Sequence, residues 1–279
     1  MPHPIEIEHL HVQFPSPRGP IHAVRDLTLS VPAASVFGFL GLNGAGKTTV
    51  LHALLGFVTP AAGAVRLLGR PAGSIDARAR VGFLPEHPDT YRFLTGRELL
   101  LFQAQMAGLD WKTARRRAGE ALAAAGLAPA DAERRIQTYS RGMMQKIGLA
   151  QALIHDPDVL ILDEPTNGLD PLARLAVRDL IRSLRDRGKT IFFSSHELSE
   201  VERVCDSAAV VNRGVVVAQG ALETLLQRPS AQLRVGWLTE DTLAALLKRV
   251  EDIAGNAPTH ADGLITVATS QPGQIPALV

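Results

Sequence analysis

The sequence predicts an α/β fold in which strands and helices alternate and a block of helices is inserted between the strands. Val36–Leu40 is a continuous apolar run, typical of a strand buried on both faces, and a helical pattern follows it. Val159–Leu162 and Thr190–Phe193 are two more strands, separated by an amphipathic helix over Arg174–Asp186. The stretch at about 96–155 has helical spacing, which predicts an inserted α-helical subdomain.

Two strands near the N-terminus predict an antiparallel β subdomain. Apolar and polar side chains alternate in Ile5–Val12, and Ala23–Val31 forms a second strand after a loop rich in proline and glycine. Further along the chain, Ala209–Val217 is typical of a hairpin with a short turn that contains Gly214.

The helices are predicted from apolar spacing and from the residues that end them. After Lys47, apolar residues recur at helical intervals and stop at Gly56. Within the inserted block, the spacing predicts helices over Leu99–Met106, Trp111–Gly126 and Gly142–His155.

The pattern changes after Arg228, where a small β-α-β appendage is expected. Gln232–Trp237 and Leu264–Ala268 are predicted strands, and Asp241–Ala254 is the predicted helix between them. We therefore divide the chain into a main domain, residues 1–227, and a C-terminal accessory domain, residues 228–279. The accessory domain is expected to be incomplete, because Ile275–Val279 is typical of the first turn of a further helix.

Charge, hydropathy and cysteine content argue against a nucleic-acid partner and indicate a cytoplasmic protein. The net charge of +1 gives no field that attracts nucleic acid, so no nucleic-acid partner is predicted. The N-terminus lacks a signal-peptide pattern, and no apolar run approaches the roughly 20 residues that a spanning helix needs. Cys205 is the only cysteine, and we interpret it as a small buried apolar residue in a cytoplasmic protein.

A glycine-rich segment between the strand Val36–Leu40 and the following helix predicts a phosphate site. Gly41–Thr48 fits the pattern G-x-x-x-x-G-K-[ST] without a mismatch, and this pattern belongs to a P-loop NTPase (RecA-like) core. Its backbone amides point at phosphate oxygens, Lys47 supplies positive charge to the β- and γ-phosphates, and the Thr48 hydroxyl can bind Mg²⁺. The predicted nucleotide-binding residues here are Gly41, Leu42, Asn43, Gly44, Ala45, Gly46, Lys47, Thr48 and Thr49.

Two carboxylates follow the strand Val159–Leu162. A carboxylate at the end of a buried strand beside the phosphate loop can hold magnesium, and Asp163 is assigned this role. Glu164 comes next and is free to orient or deprotonate the attacking water. Together with Lys47, these residues predict hydrolysis of ATP with Mg²⁺.

The segment Tyr139–Lys146 resembles the signature of ATP-binding cassette (ABC) proteins, in its Tyr-Ser-x-Gly-Met variant. Ser140 and the amide of Gly142 open a helix, which makes a second anion site. The chain already holds one nucleotide on its phosphate loop, so this second site is expected to serve a nucleotide bound by another chain. In the family, two cassettes meet head to tail, and the resemblance assigns the contact to Ser140, Arg141, Gly142 and Met143.

The resemblance implies further site residues. Asn167–Asp170 resembles the loop that crosses the dimer interface, and Asp170 is expected to contact the nucleotide. His196 follows a strand as the family's switch histidine does, and would hold the γ-phosphate and the water near Glu164. Phe14 matches the aromatic that stacks on adenine, although a phenylalanine at that position could equally belong to the core.

One position departs from the family pattern. The loop Phe83–His87 carries Glu86 where the family has glutamine, and Glu86 could bind Mg²⁺ through a carboxylate oxygen. The Leu-Pro-Glu form of this loop and the form of the signature are similar to the ABC-2 group of exporters. The resemblance covers residues from about 4 to 225.

The resemblance implies an ATP-binding subunit of an ABC transporter, most like an ABC-2 exporter. It would form a dimer with a second copy or a similar cassette and drive a multi-span permease, to which it would bind at the inner face of the membrane. The alternative is a soluble ABC ATPase of the kind that acts in iron–sulfur assembly. Translation-associated ABC proteins carry two cassettes in one chain, whereas this sequence has one. Chromosome-type ABC ATPases have a long coiled coil between the two halves of the site, whereas no heptad array separates Lys47 from Asp163 here.

Overall fold

A computed structural model describes residues 3–17, 19–226, 230–234, 243–244, 247–248, 251, 259–261 and 264–268. The chain divides into two compact units, Met1–Leu222 and Glu223–Val279. The predicted domain boundary between residues 227 and 228 stays a prediction.

The first unit contains two sheets and most of the helices. Its strands are β1 (Ile5–Phe14), β2 (Ile21–Val31), β3 (Val36–Leu40), β4 (Ala62–Leu67), β5 (Arg70–Pro71), β6 (Val81–Leu84), β7 (Val159–Asp163), β8 (Thr190–Ser195), β9 (Ser207–Asn212) and β10 (Val215–Ala221). Its helices are α1 (Lys47–Leu54), α2 (Ile75–Arg78), α3 (Gly96–Met106), α4 (Trp111–Ala124), α5 (Pro129–Ala132), α6 (Arg141–Leu153), α7 (Pro171–Asp186) and α8 (Leu198–Val204), with a 3-10 helix over Ile136–Thr138. A further helix, α9 (Leu222–Leu226), begins at the boundary between the units.

The larger sheet has the strand order β10-β9-β3-β8-β7-β6. All neighbours are parallel except β9 and β10, which form the predicted hairpin. Strand β3 is central because its side chains are apolar and nearly all buried, and the ring of Phe37 stacks on Phe192 of β8. Since the strands are parallel, the loops after β3, β6, β7 and β8 all emerge at one edge of the sheet.

The smaller sheet is antiparallel, with the order β2-β1-β4-β5. Alternate side chains of β1 and β2, such as Ile7 and Leu29, pack with the apolar face of α1 and with β3 in one core. The predicted α/β fold with an antiparallel β subdomain is therefore confirmed. The sequence analysis did not predict β4 and β6, which have six and four residues.

The inserted helices begin where the sequence supplies capping side chains. Thr95 and Glu98 form a reciprocal capping box at the start of α3, and Asp110 accepts hydrogen bonds from two backbone amides at the start of α4. These contacts satisfy amides that have no partner within the helix. The inserted α-helical subdomain of the predicted fold is present, and α3 to α6 lie within the predicted stretch of about 96–155.

In the second unit the described strands are β11 (Ser230–Arg234), β12 (Thr259–Ala261) and β13 (Leu264–Ala268). They form an antiparallel sheet in the order β11-β13-β12. The predicted strand at Leu264–Ala268 is confirmed, and β12 is an addition to the expected β-α-β pattern. Most of the predicted helix Asp241–Ala254 and all of Ile275–Val279 lie outside the described residues.

Cys205 ends α8 and is buried beside β3, as interpreted from the sequence. Burial raises the pKa of the Cys205 thiol far above its usual range, so the thiol stays neutral. It fills a space against Gly38, where an added Cβ would lie 3.0 Å from Cys205 Sγ. The residue therefore contributes packing.

Candidate active site

A cavity of about 580 Å³ opens at the edge of the large sheet where the parallel strands end. The phosphate loop lines its floor, and carboxylates from the loops after β6 and β7 line one side. Strand β2 and the turn between β9 and β10 line the other side. The lining residues are Ile21, His22, Ala23, Arg25, Leu42, Asn43, Gly44, Gly46, Lys47, Thr48, Thr49, Glu86, Asp163, Glu164 and Arg213.

The phosphate loop has a backbone that other residue types resist. Gly44 and Gly46 have φ angles of 79° and 102°, in the left-handed region where a Cβ is disfavoured. An added Cβ at Gly46 would lie 2.8 Å from the carbonyl oxygen of Ala23. Gly46 also begins α1 without a side-chain cap, so the first amides of this helix have no capping side chain. These amides form an anion site at the floor of the cavity.

The turn between β9 and β10 is hydrogen-bonded to the phosphate loop. The amide of Gly214 donates to the carbonyl oxygen of Ala45 at 2.9 Å, and the amide of Arg25 donates to the carbonyl oxygen of Gly214 at 2.8 Å. Gly214 has a φ of 78°, which allows this close approach to β2. The turn thus joins the phosphate loop to a strand of the other sheet.

Lys47 is buried and directed at its own loop. Its Nζ donates to the carbonyl oxygen of Gly41 at 2.6 Å and lies 3.3 Å from Glu164 Oε1. Glu164 Oε1 is buried and accepts no hydrogen bond from a described residue. Lys47 Nζ thus combines an ion pair to Glu164 with hydrogen bonds to the carbonyl oxygens of Gly41 and Leu42, the second at 3.5 Å.

Ser194, near the end of β8, holds both predicted carboxylate residues. Its Oγ donates to Asp163 Oδ1 at 2.6 Å and accepts from the amide of Glu164 at 3.0 Å. Burial raises the pKa of Asp163, and the charges of Glu164 and Glu86 add to this effect, while the bond from Ser194 and the charge of Lys47 oppose it. Ser194 was not identified from the sequence.

Glu164 adopts a strained backbone that separates its side chain from that of Asp163. Its φ is 48°, a conformation that residues other than glycine seldom adopt. Its Oε2 lies 2.9 Å from Nδ1 of His196, so the carboxylate contacts the histidine and Lys47 at once. Asp163, Glu164, Lys47 and His196 are thus brought together as predicted, although His196 is not among the cavity-lining residues.

The oxygen donors in the cavity fit magnesium. Thr48, Glu86 and Asp163 all line it, and Glu164 Oε1 is a buried oxygen without a hydrogen bond. Within the described part of the chain, no three His, Cys, Asp or Glu residues are grouped closely enough to hold a metal by themselves. Such a sparse set suits Mg²⁺, which binds through one or two carboxylates with nucleotide phosphates and water.

Glu86 also has a partner that the sequence did not indicate. Its Oε1 accepts from Nδ2 of Asn167 at 3.0 Å, so the loop after β6 is tied to the loop that precedes α7. A neutral glutamine could accept the same hydrogen bond through its side-chain oxygen. Glutamate at this position therefore adds a negative charge and keeps the contact with Asn167.

The predicted signature residues lie apart from the cavity. Ser140 begins α6, and its Oγ accepts from the amide of Met143 at 3.3 Å. Asp170 begins α7 in the same manner and accepts from the amide of Ala173 at 2.9 Å. The cavity lining contains none of the residues predicted to contact the nucleotide of another chain, which are Ser140, Arg141, Gly142, Met143 and Asp170.

Phe14 is partly exposed at the end of β1 and is not a lining residue. Its neighbour on β2, Ile21, does line the cavity. His22, Arg25 and Arg213 also line it, and the sequence analysis missed all three. They come together through strand pairing and the hairpin turn, so no local motif could have identified them.

Comparisons with known proteins place the chain in a family. Residues 24–167, just over half of the chain, match the profile of a family described as "ABC transporter". An uncharacterized ABC transporter ATP-binding protein of Nostoc sp. is 46% identical over 205 residues, which cover 73% of this chain and 61% of that protein. The chain thus spans about three fifths of the length of this relative.

A second relative is Nod factor export ATP-binding protein I of Burkholderia orbicola. It is 42% identical over 206 residues, which cover 73% of this chain and 67% of that protein. Among solved structures, an ATP-binding subunit of an ABC transporter superposes with a TM-score of 0.71 at 30% identity. The superposition covers 80% of this chain and 92% of the other, and it confirms the predicted cassette fold.

Proposed function

The chain belongs to the ABC transporter family, and from this premise we propose that it is an ATP-binding subunit that hydrolyses ATP to drive transport through a separate permease. The observation that supports hydrolysis best is the contact of Glu164 with Lys47 and His196 beside the phosphate loop. Glu164 also lines the cavity, so its carboxylate can take a proton from a water molecule bound there.

We assign the following roles within the cavity. The loop amides and Lys47 would bind the phosphates of ATP, with Thr49 beside them, and Thr48, Asp163 and Glu86 would hold Mg²⁺. When bound, Mg²⁺ neutralises charge on the β- and γ-phosphates. Glu164 accepts a proton from water, whose oxygen bonds to the γ-phosphorus as the bond to the ADP oxygen breaks. His196, bonded to Glu164, holds the γ-phosphate and the water in line.

We propose that hydrolysis takes place in a head-to-tail dimer. Ser140 to Met143 and Asp170 do not line the cavity of their own chain, which supports a role toward the nucleotide of a second cassette. The helix α6 has 13 residues and no acidic residue in its first turn, so its N-terminus can accept a phosphate. Each ATP would then join the phosphate loop of one chain to the signature of the other.

We propose a multi-span permease of an ABC-2 exporter as the membrane partner. Within the described residues, no helix has the length and hydropathy to cross a bilayer. Tyr91, Phe93 and Phe102, the last of these in α3, form an exposed aromatic cluster, in which the ring centroid of Tyr91 lies 5.9 Å from that of Phe93 and 5.7 Å from that of Phe102. Exposed aromatic groups of this kind mark protein interfaces. The resemblance to a Nod factor export protein supports export as the direction.

The experiment that tests hydrolysis replaces Glu164 with Gln in the full chain. E164Q should bind MgATP about as tightly as the wild type, lose about 100-fold to 10,000-fold of its ATPase rate, and accumulate as a dimer in light scattering with MgATP. Glu202→Gln, an exposed residue of α8, is the matched control and should hydrolyse ATP normally. Full activity of E164Q would contradict the assigned role, and a wild-type chain that neither binds nor hydrolyses ATP would contradict the function.

Location is tested separately. The chain should sediment with membranes only when a multi-span permease is co-expressed, and Phe93→Glu should return it to the supernatant without altering its ATPase rate. If the chain hydrolyses ATP in the supernatant and no permease changes either its rate or its location, the alternative of a soluble ABC ATPase would be favoured.

A further inference from the structure

A buried ionic cluster lies between α7 and α8. Glu200 of α8 is 1% exposed, and it accepts hydrogen bonds from Arg178 and Arg174 of α7. Burial by itself would raise the pKa of Glu200, but the bonds and charges of the two arginines outweigh it, so the pKa is lowered. Glu200 is therefore a fixed negative charge that anchors both arginines.

Arg174 makes two contacts that Arg178 lacks within the described structure. Its Nε donates to the carbonyl oxygen of Leu169 at 3.1 Å, in the loop Asn167–Asp170. Its Nη1 donates to Glu197 Oε2 at 2.9 Å and to Glu200 Oε1 at 3.3 Å. One planar guanidinium thus joins three segments of the chain, which a lysine ammonium on a flexible stem cannot match.

Glu197 directly follows His196 and contacts two of its neighbours in sequence. Its amide donates to Ser195 Oγ at 3.0 Å, and its Oε1 lies 4.0 Å from His196 Nε2. His196 Nδ1 in turn lies 2.9 Å from Glu164 Oε2. A continuous set of contacts therefore runs from Leu169 through Arg174, Glu197 and His196 to Glu164.

We propose that Arg174 is a positioning residue that sets the orientation of His196 against Glu164 according to the position of the Leu169 carbonyl. A second cassette that displaces the loop Asn167–Asp170 would shift this carbonyl and, through Arg174 and Glu197, the histidine. The inference rests on the proposed function, because it requires His196 and Glu164 to act in hydrolysis. It assigns Arg174 the task of making hydrolysis depend on the neighbouring chain.

The test compares Arg174→Lys with Arg178→Lys in the full chain. Both variants keep a positive charge at Glu200, and only R174K loses the bridge from Leu169 to Glu197. Because Arg178 is the more buried of the two, its side chain being 11% exposed against 26%, a purely structural role predicts that R178K is the more damaging. The proposal predicts the opposite order for turnover.

R174K should lower kcat for MgATP about 10-fold to 100-fold, the cost of a small misplacement of a catalytic group, with an unchanged Kd for MgATP. R178K should keep kcat within about twofold, even where its Tm falls further. Glu197→Gln should resemble R174K, and the double variant should be no slower than either single one, since both break the same path.

Equal loss of kcat in R174K and R178K, or a loss in R174K that follows its Tm, would overturn the role of Arg174. So would additive effects of R174K and E197Q. Wild-type hydrolysis and its loss in E164Q test the proposed function on their own, so a failure there is distinct from a failure of the inference.

Discussion

Ser194→Ala should damage both the stability of the protein and its metal site, because one hydroxyl holds both carboxylate residues. The Oγ donates to Asp163 Oδ1 at 2.6 Å and accepts from the amide of Glu164 at 3.0 Å, and the side chain is fully buried. A hydrogen bond to a charged group contributes about 1.5–3 kcal/mol, and a neutral one about 0.5–1.5 kcal/mol. We therefore expect the free energy of unfolding of S194A to be about 2–4 kcal/mol lower than that of the wild type.

A second effect follows from the direction of the pKa shift at Asp163. The bond from Ser194 lowers this pKa against the effect of burial, so its removal raises the pKa further. A proton then competes more strongly with Mg²⁺ for the carboxylate. We expect S194A to require more Mg²⁺ for half-maximal ATPase, with a larger difference at pH 6 than at pH 8.

Urea unfolding measures the first effect, and a magnesium titration of ATPase rate measures the second. The control is Ser183→Ala. The Ser183 hydroxyl accepts a hydrogen bond from the exposed Arg187, and its loss should change the free energy of unfolding by less than about 0.5 kcal/mol. A loss below about 1 kcal/mol in S194A, with an unchanged Mg²⁺ requirement, would refute this reasoning.

Two further changes test other parts of the structure. Gly46→Ala should abolish nucleotide binding in a calorimetric titration and cost about 1–3 kcal/mol of stability, because φ is 102° and the new Cβ would lie 2.8 Å from Ala23 O; tight binding by G46A would contradict this. Burial lowers the pKa of His155, so the unfolded chain binds a proton first and stability should fall as pH drops below about 6.5. Urea unfolding at pH 7.5 and 5.5 should show this loss, and His155→Gln should reduce it; an equal loss in H155Q would rule out His155 as its source.

The parts of the site that depend on contiguous residues were predictable from sequence. Gly41–Thr48 lies between a buried strand and a helix, and Asp163 ends another strand, so their convergence follows from parallel topology. Glu86 was expected in the cavity and lines it.

The parts that depend on distant pairing were not predictable. Ser194 is an ordinary serine in a strand, and only the register of β7 beside β8 brings it to Asp163. Arg25 and Arg213 reach the cavity because the β9–β10 turn bonds to both the phosphate loop and β2. No periodicity in the chain encodes either contact.

The place of β3 between β8 and β9 has a consequence for synthesis on the ribosome. The strand that carries the phosphate loop is complete at Leu40, yet both of its hydrogen-bonded neighbours lie beyond residue 189. At roughly 5–20 residues per second, translation leaves this apolar strand without either partner for on the order of ten seconds or more. A nascent chain cannot form a nucleotide pocket in that interval, and β3 is then an apolar strand with two unpaired edges, which exposes it to aggregation.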